Sequence, residues 1–169
     1  IADTGCRLET GDVPQSCNDP QSWPFERIAK TAASQIATLE NASGDNAWFV
    51  THHPFWGIGE DSGELFMIND TLQAASKNVL TGGINVVLSA HIHLFEMLNF
   101  VGDRQPQFVI GISGTELDPP VTDPLEGVEI GGATVSDAVV LNNQFGFVLM
   151  ELVGEVWQMS IRDVEGCNS

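Results

Sequence analysis

The chain has 169 residues and only four histidines, and they fall in two pairs. His52 and His53 follow the apolar run "AWFVT", and His91 and His93, one residue apart, follow "INVVLSA". Neutral imidazole is a common ligand for Zn, Fe and Mn ions. The H-x-H spacing lets two rings leave one extended segment towards a common point. Pro54 fixes the backbone just after the first pair. One histidine at such a place is ordinarily a satisfied, partly buried side chain. Four of them at the ends of two apolar runs point instead to a metal centre.

The elements that must position these residues are legible in outline. Ligand sites in α/β sheets gather at the carboxyl ends of buried strands, and "AWFVT" (47–51) and "INVVLSA" (84–90) read as such strands. "PFERIAKTAASQIATLE" carries Phe25, Ile28, Ala29, Ala32, Ala33 and Ile36 at helical spacing, with Pro24 in a first turn that tolerates it. "NDTLQAASKNVL" (69–80) predicts a second helix, capped by Asn69 or Asp70 and stopped by Gly82-Gly83. "LFEMLNFV" and "PQFVIGIS" flank the turn "GDRQP" as a hairpin. Residues 113–143, rich in Gly, Pro and Asp, read as one long irregular loop. "QFGFVLMEL" and "EVWQMSIRD" alternate around Val153-Gly154 as a closing hairpin. The class is α/β, with buried strands first and antiparallel strands later, in a single domain over 1–169.

Six Lys+Arg against 23 Asp+Glu give a formal net charge of −17. Such a surface repels nucleic acid and anionic membranes, so neither is an expected partner. It repels phosphorylated substrates too, unless a bound metal ion supplies local positive charge. No apolar run is long enough to span a bilayer. The opening Ile1-Ala2-Asp3, without a leader, reads as a mature or trimmed product. Cys6 and Cys17 bracket a short loop in which a disulfide is sterically reasonable, leaving Cys167 with a partner elsewhere or free. Three reduced thiols are the alternative. With the sequons Asn41-Ala42-Ser43 and Asn69-Asp70-Thr71, this favours a secreted, extracellular or periplasmic protein.

Other motifs carry less. There is no phosphate-cradling G-x-x-x-x-G-K-[ST]. Gly111-Ile112-Ser113-Gly114 is one residue short of a nucleophile elbow and reads as a strand-to-loop turn. Phe55 and Trp56 could shape a substrate wall, and Arg7 and Arg104 could meet a phosphate.

"FVTHHPFWG" and "LSAHIHLFE" resemble the His-x-Pro and Gly-His-x-His signatures of the calcineurin-like metallophosphoesterases, the superfamily that includes purple acid phosphatases. "ADTGCR" resembles that superfamily's first motif in a bacterial-type subgroup reading Gly-Asp-Thr-Gly-Cys-Arg. "CNDPQSWPF", the Phe-Gly-Phe and the Trp segments extend the likeness over most of the chain. The resemblance implies an αββα sandwich with mixed sheets and a dinuclear site of divalent or trivalent Fe, Zn or Mn. That site would use a metal-bound hydroxide to hydrolyse a small phosphorylated substrate. It implies Asp3 and His93 as ligands of the first metal, and His52 and His91 as ligands of the second. His53 fills the variable place, facing the substrate or bracing the ligands, and is the catalytic candidate.

The chain also departs from that pattern. Ala2 and Ala90 stand where the family has glycine. The Gly-Asp motif with its bridging aspartate, and the Gly-Asn-His motif, have no counterpart, as if a central block were missing near Ser34-Gln35. No spacing argues that Asp12, Asp19 or Asp61 substitutes. Missing strands would leave unpaired sheet edges. Three readings follow: a piece of a longer phosphoesterase, a sheet completed by a second chain or by self-assembly, or a non-catalytic metal-binding or structural derivative.

Overall fold

A computed structural model describes residues 23–77, 80–81, 83–114, 116–141 and 143–164. Asp3, Arg7 and the three cysteines therefore lie outside the described residues, as does everything expected of them.

Helix α1 (Trp23–Ala42) follows the predicted apolar spacing, and runs unbroken through Ser34-Gln35. Ala32 and Ile36, one turn apart, are buried at 4% and 2% exposure. Helix α2 (Asp70–Ser76) begins where the side chain of Asn69 accepts the Leu72 N–H, an N-cap that satisfies an otherwise orphan donor. It is shorter than the expected 69–80. Lys77 turns left-handed at φ 53° and donates its N–H back to Ala74 and Gln73, which ends the helix and lets Leu80 enter the core.

Strands β1 (Ala47–Val50) and β4 (Ile84–Ser89) pair in parallel, and β4 pairs in parallel with β6 (Gln107–Ile110). The expected hairpin is present: β5 (Phe95–Phe100) runs antiparallel to β6 and then pairs with β8 (Ala133–Leu141). With β7 (Glu129–Ile130) on the far edge, the order of this mixed six-stranded sheet is β1-β4-β6-β5-β8-β7. The chain is thus mixed α/β, with parallel strands on one side of the sheet and antiparallel on the other.

Two strand pairs were not anticipated. Residues 113–143 are not one loop, because their second half forms β7 and β8. Gly131 and Gly132 both take positive φ, 55° and 76°, making the two-residue turn that joins antiparallel strands with the correct twist. The β-branched Thr134, Val135, Val139 and Val140 then fit a pleated surface. Likewise Ser62 and Gly63, at φ 55° and 82°, turn β2 (Gly57–Asp61) back as β3 (Glu64–Ile68).

The closing hairpin, β9 (Gly146–Val153) and β10 (Val156–Asp163), pairs as expected. Its register puts Val148, Met150 and Leu152 opposite Ile161, Met159 and Trp157. Trp157 meets Trp48 of β1 edge-on at 4.7 Å between ring centroids. A cleft between this hairpin and the main sheet is lined by Phe95, Met97 and Phe108 on one side and Met159 and Ile161 on the other. The core itself lies under α1 and α2, around Phe49, Val87, Leu98 and Val109.

Candidate metal centre

The two histidine pairs stand side by side because β1 and β4 are parallel neighbours that end together. Beyond the strands the backbones continue to bond: Thr51 N–H donates to the Leu88 carbonyl at 3.0 Å, and Ala90 N–H to the His52 carbonyl at 3.0 Å. Behind them, the buried side chain of Gln107 ties the structure together. Its carbonyl oxygen accepts the Phe55 N–H at 3.1 Å, and its amide donates to Ser89 Oγ at 2.8 Å. Gln73 donates to the Phe55 carbonyl at 2.9 Å. These bonds satisfy the Phe55 backbone, as burial demands, whereas the buried Thr51 Oγ1 and Trp56 Nε1 of the same turn find no partner among the described residues.

His91 itself has φ 73°, and Ile92 N–H donates to the Ala90 carbonyl at 3.0 Å across it. This is a γ-turn of the rarer, strained kind. A β-carbon at that φ costs on the order of 1–3 kcal/mol, and such strain gathers at functional sites. The tight turn aims the His91 ring back at β1. Immediately behind it, a Cβ on Gly111 would lie 1.8 Å from the Ile92 carbonyl oxygen, so only glycine lets the two backbones pass.

The result is a group of three imidazoles. His91 Nδ1 lies 3.3 Å from His52 Nε2, and the His53 ring centroid lies 3.9 Å from that of His91. One ligating nitrogen from each of His52, His53 and His91 falls within 4.8 Å of the other two. Two nitrogens bound to one tetrahedral Zn ion at ~2.0–2.1 Å sit about 3.3–3.4 Å apart, so the His52–His91 pair already has the spacing of one coordination edge. Partial burial first, then the neighbouring His52 and His93, hold the His91 imidazole below the usual histidine range, with Asp118 pulling the other way. The first three of these four effects favour the neutral, metal-ligating form.

The structure distributes the sequence candidates unevenly. His52, His53 and His91 come together; the half-buried His93 stands outside the group. Its main chain is instead held twice by Asp118, which accepts the His93 N–H at 2.7 Å and donates its own N–H to the His93 carbonyl at 3.2 Å. Among the described residues no second group of three such ligands gathers. The described residues therefore bring together ligands for one ion. Trp56 and Phe55, expected as a substrate wall, are fully buried. Arg104 lies over the Trp56 ring at 4.8 Å and donates to the carbonyls of Ile130 and Gly131, so its charge serves the β7–β8 turn.

A cavity of about 490 Å³ opens beside the histidines, with His91, Ile92, Leu94 and Phe66 along its walls. Three carboxylates line it as well: Glu60 and Asp61 from β2, and Asp118. Glu60 accepts the Thr122 N–H at 2.7 Å and binds its hydroxyl, close in sequence to Asp118 and Pro119, which also line the cavity. Sequence reading missed Glu60 and Asp118, because nothing in their spacing marks either one. No protein-family model matches the chain, and no curated protein matches it.

Proposed function

We propose that this chain is a metal-dependent phosphoesterase built on a metallophosphoesterase-like αββα sandwich. The observation that carries the reading is the convergence of His52, His53 and His91 within 4.8 Å, beside a cavity of ligand size. The β9–β10 hairpin over one face of the main sheet, with α1 and α2 on the other, supports the sandwich.

His52, His53 and His91 would hold the ion, with Fe, Zn and Mn as the candidates their nitrogen chemistry allows. The chemistry such an ion supplies is polarisation of phosphoryl oxygens and acidification of water. The chain's own residues do the rest. Gln107 and the γ-turn at His91 fix the ligand rings before substrate arrives. The segment carrying Asp118 and Thr122, fastened to His93 and Glu60, contributes Asp118 and Pro119 to the cavity wall. His93 stands outside the imidazole group with its main chain held by Asp118, and is assigned with Asp3 to a further ion. A second ion, with Asp3 among its ligands, belongs to the same proposal, as do a small phosphorylated substrate and an exported location.

Metal content and hydrolysis of phenyl phosphate, measured together on the full chain supplied with Zn²⁺, Mn²⁺ or Fe²⁺, test this. Bound metal with activity abolished by His91→Ala is the expected result. Bound metal with no hydrolysis of any phosphate ester favours the second reading, a non-catalytic metal-binding or assembly protein. Two observations lend that reading weight. Among the described residues the imidazole group contains no carboxylate, and β1 pairs only with β4, with Val50 66% exposed.

A further inference from the structure

We infer that the cavity beside the histidines receives a leaving alcohol that carries an apolar, aromatic-sized body and a positive charge. The inference rests on the phosphoesterase reading and names its substrate class.

Size comes first. At about 490 Å³ the space exceeds what a phosphate alone requires and falls in the range of sites for small organic ligands. Its walls are divided by chemistry. Phe66, Ile92 and Leu94 give it an apolar side, and Ile92 and Leu94 are buried at 4% and 0% exposure. Phe66 is 44% exposed and packs its ring over Gly59, where a Cβ would come within 2.4 Å of it. The glycine thus lets the ring lie flat against β2, with its remaining surface available to a ligand.

Charge decides the rest. Glu60, Asp61 and Asp118 line the same space, and among the described residues no lysine or arginine does. The donors that reach these carboxylates are neutral: the Thr122 N–H and hydroxyl for Glu60, the Ser62 hydroxyl for Asp61, and the His93 N–H for Asp118. Hydrogen bonds to neutral donors hold the oxygens in place, and only Asp118 also interacts electrostatically with a ring of the site, that of His91, among the described residues. An anionic or free phosphate group is therefore repelled from this end and directed to the histidines. An ammonium on an aromatic or aliphatic body is attracted by the carboxylates and by the face of Phe66, a cation–π contact worth roughly a fivefold change in affinity at a partly exposed site.

Three phenols of similar size separate charge from shape: tyramine, phenol and 4-hydroxyphenylacetate, titrated calorimetrically into chelator-treated full chain. Tyramine is expected to bind about tenfold more tightly than phenol, and 4-hydroxyphenylacetate more weakly than phenol. Asp61→Asn, an exposed change, should remove a threefold or larger part of the tyramine preference and leave phenol unaltered. Equal binding of the three, preference for the anion, or a tyramine preference untouched by Asp61→Asn overturns the inference. Because no metal or turnover is needed, the outcome is separate from the phosphoesterase reading. Hydrolysis of phenyl phosphate without tyramine selectivity defeats this inference alone. Tyramine selectivity without hydrolysis supports the cavity's chemistry and defeats the phosphoesterase reading.

Discussion

His91 Nδ1 and His52 Nε2 lie 3.3 Å apart across 39 positions of sequence. Parallel pairing of β1 with β4 brings their main chains together, and the γ-turn at His91 brings their rings together. If this spacing exists to share an ion, each imidazole of the group matters. His52→Ala, His53→Ala and His91→Ala should each weaken metal affinity at least about a hundredfold. His93→Ala should change affinity for that ion less than about threefold. Competition against a metal indicator measures all four.

Gln107 should behave as a support of the site rather than as part of its chemistry. Replacing it with Leu strands the Phe55 N–H and removes the bond to Ser89 Oγ. Leaving buried donors unpaired costs ~2–4 kcal/mol in total. Chemical denaturation should report that loss, and metal affinity should fall with it, because the turn bearing His52 and His53 loosens.

Glu96 gives the fold a distinct pH dependence. It is fully buried on β5, and both of its oxygens stand 3.3 Å from the Ile58 nitrogen. Burial raises its pKa from the ordinary 4.5 to about 8, against the opposing hydrogen bond from Ile58. Between those values the folded protein retains a proton that the unfolded chain has released, so folding is progressively disfavoured as pH rises from 4.5 to 8. The span corresponds to ~5 kcal/mol. Glu96→Gln keeps an uncharged acceptor for Ile58 and should flatten this slope, gaining on the native protein towards pH 8. Parallel stability profiles for the two proteins would contradict this origin of the slope.

Gly111→Ala should be costly although its backbone angles suit any residue. The new methyl group meets the Ile92 carbonyl oxygen, which is main chain and cannot rotate away. A loss of ~2 kcal/mol or more is expected, with weaker metal binding because Ile92 adjoins His91. Thermal unfolding with a metal titration tests both halves.

What the sequence disclosed depended on the range of each interaction. The helix around Ala32 and Ile36 was readable from spacing, and so were the strands entering the histidine pairs, since both are patterns within one segment. The β2–β3 and β7–β8 hairpins were missed although their turns, Ser62-Gly63 and Gly131-Gly132, are short and local. In the second case the Gly, Pro and Asp residues upstream concealed a strand that β5 stabilises from 38 residues away. Trp56 looked like a site residue by its position after the histidines, yet it is fully buried and packs with Phe100 and Arg104. Glu60 and Asp118 were invisible for the opposite reason. Only the folded chain brings them to the cavity. Residue types marked the two histidine pairs, but the choice of His53 over His93 for the imidazole group needed three dimensions.

Metal stoichiometry is the most direct test of the central claim that His52, His53 and His91 form one binding site. The full chain, loaded with Zn²⁺ and desalted, should retain one tightly held ion through this group, and the triple variant His52→Ala/His53→Ala/His91→Ala should retain one ion fewer by elemental analysis. Equal metal content in the two proteins would contradict it.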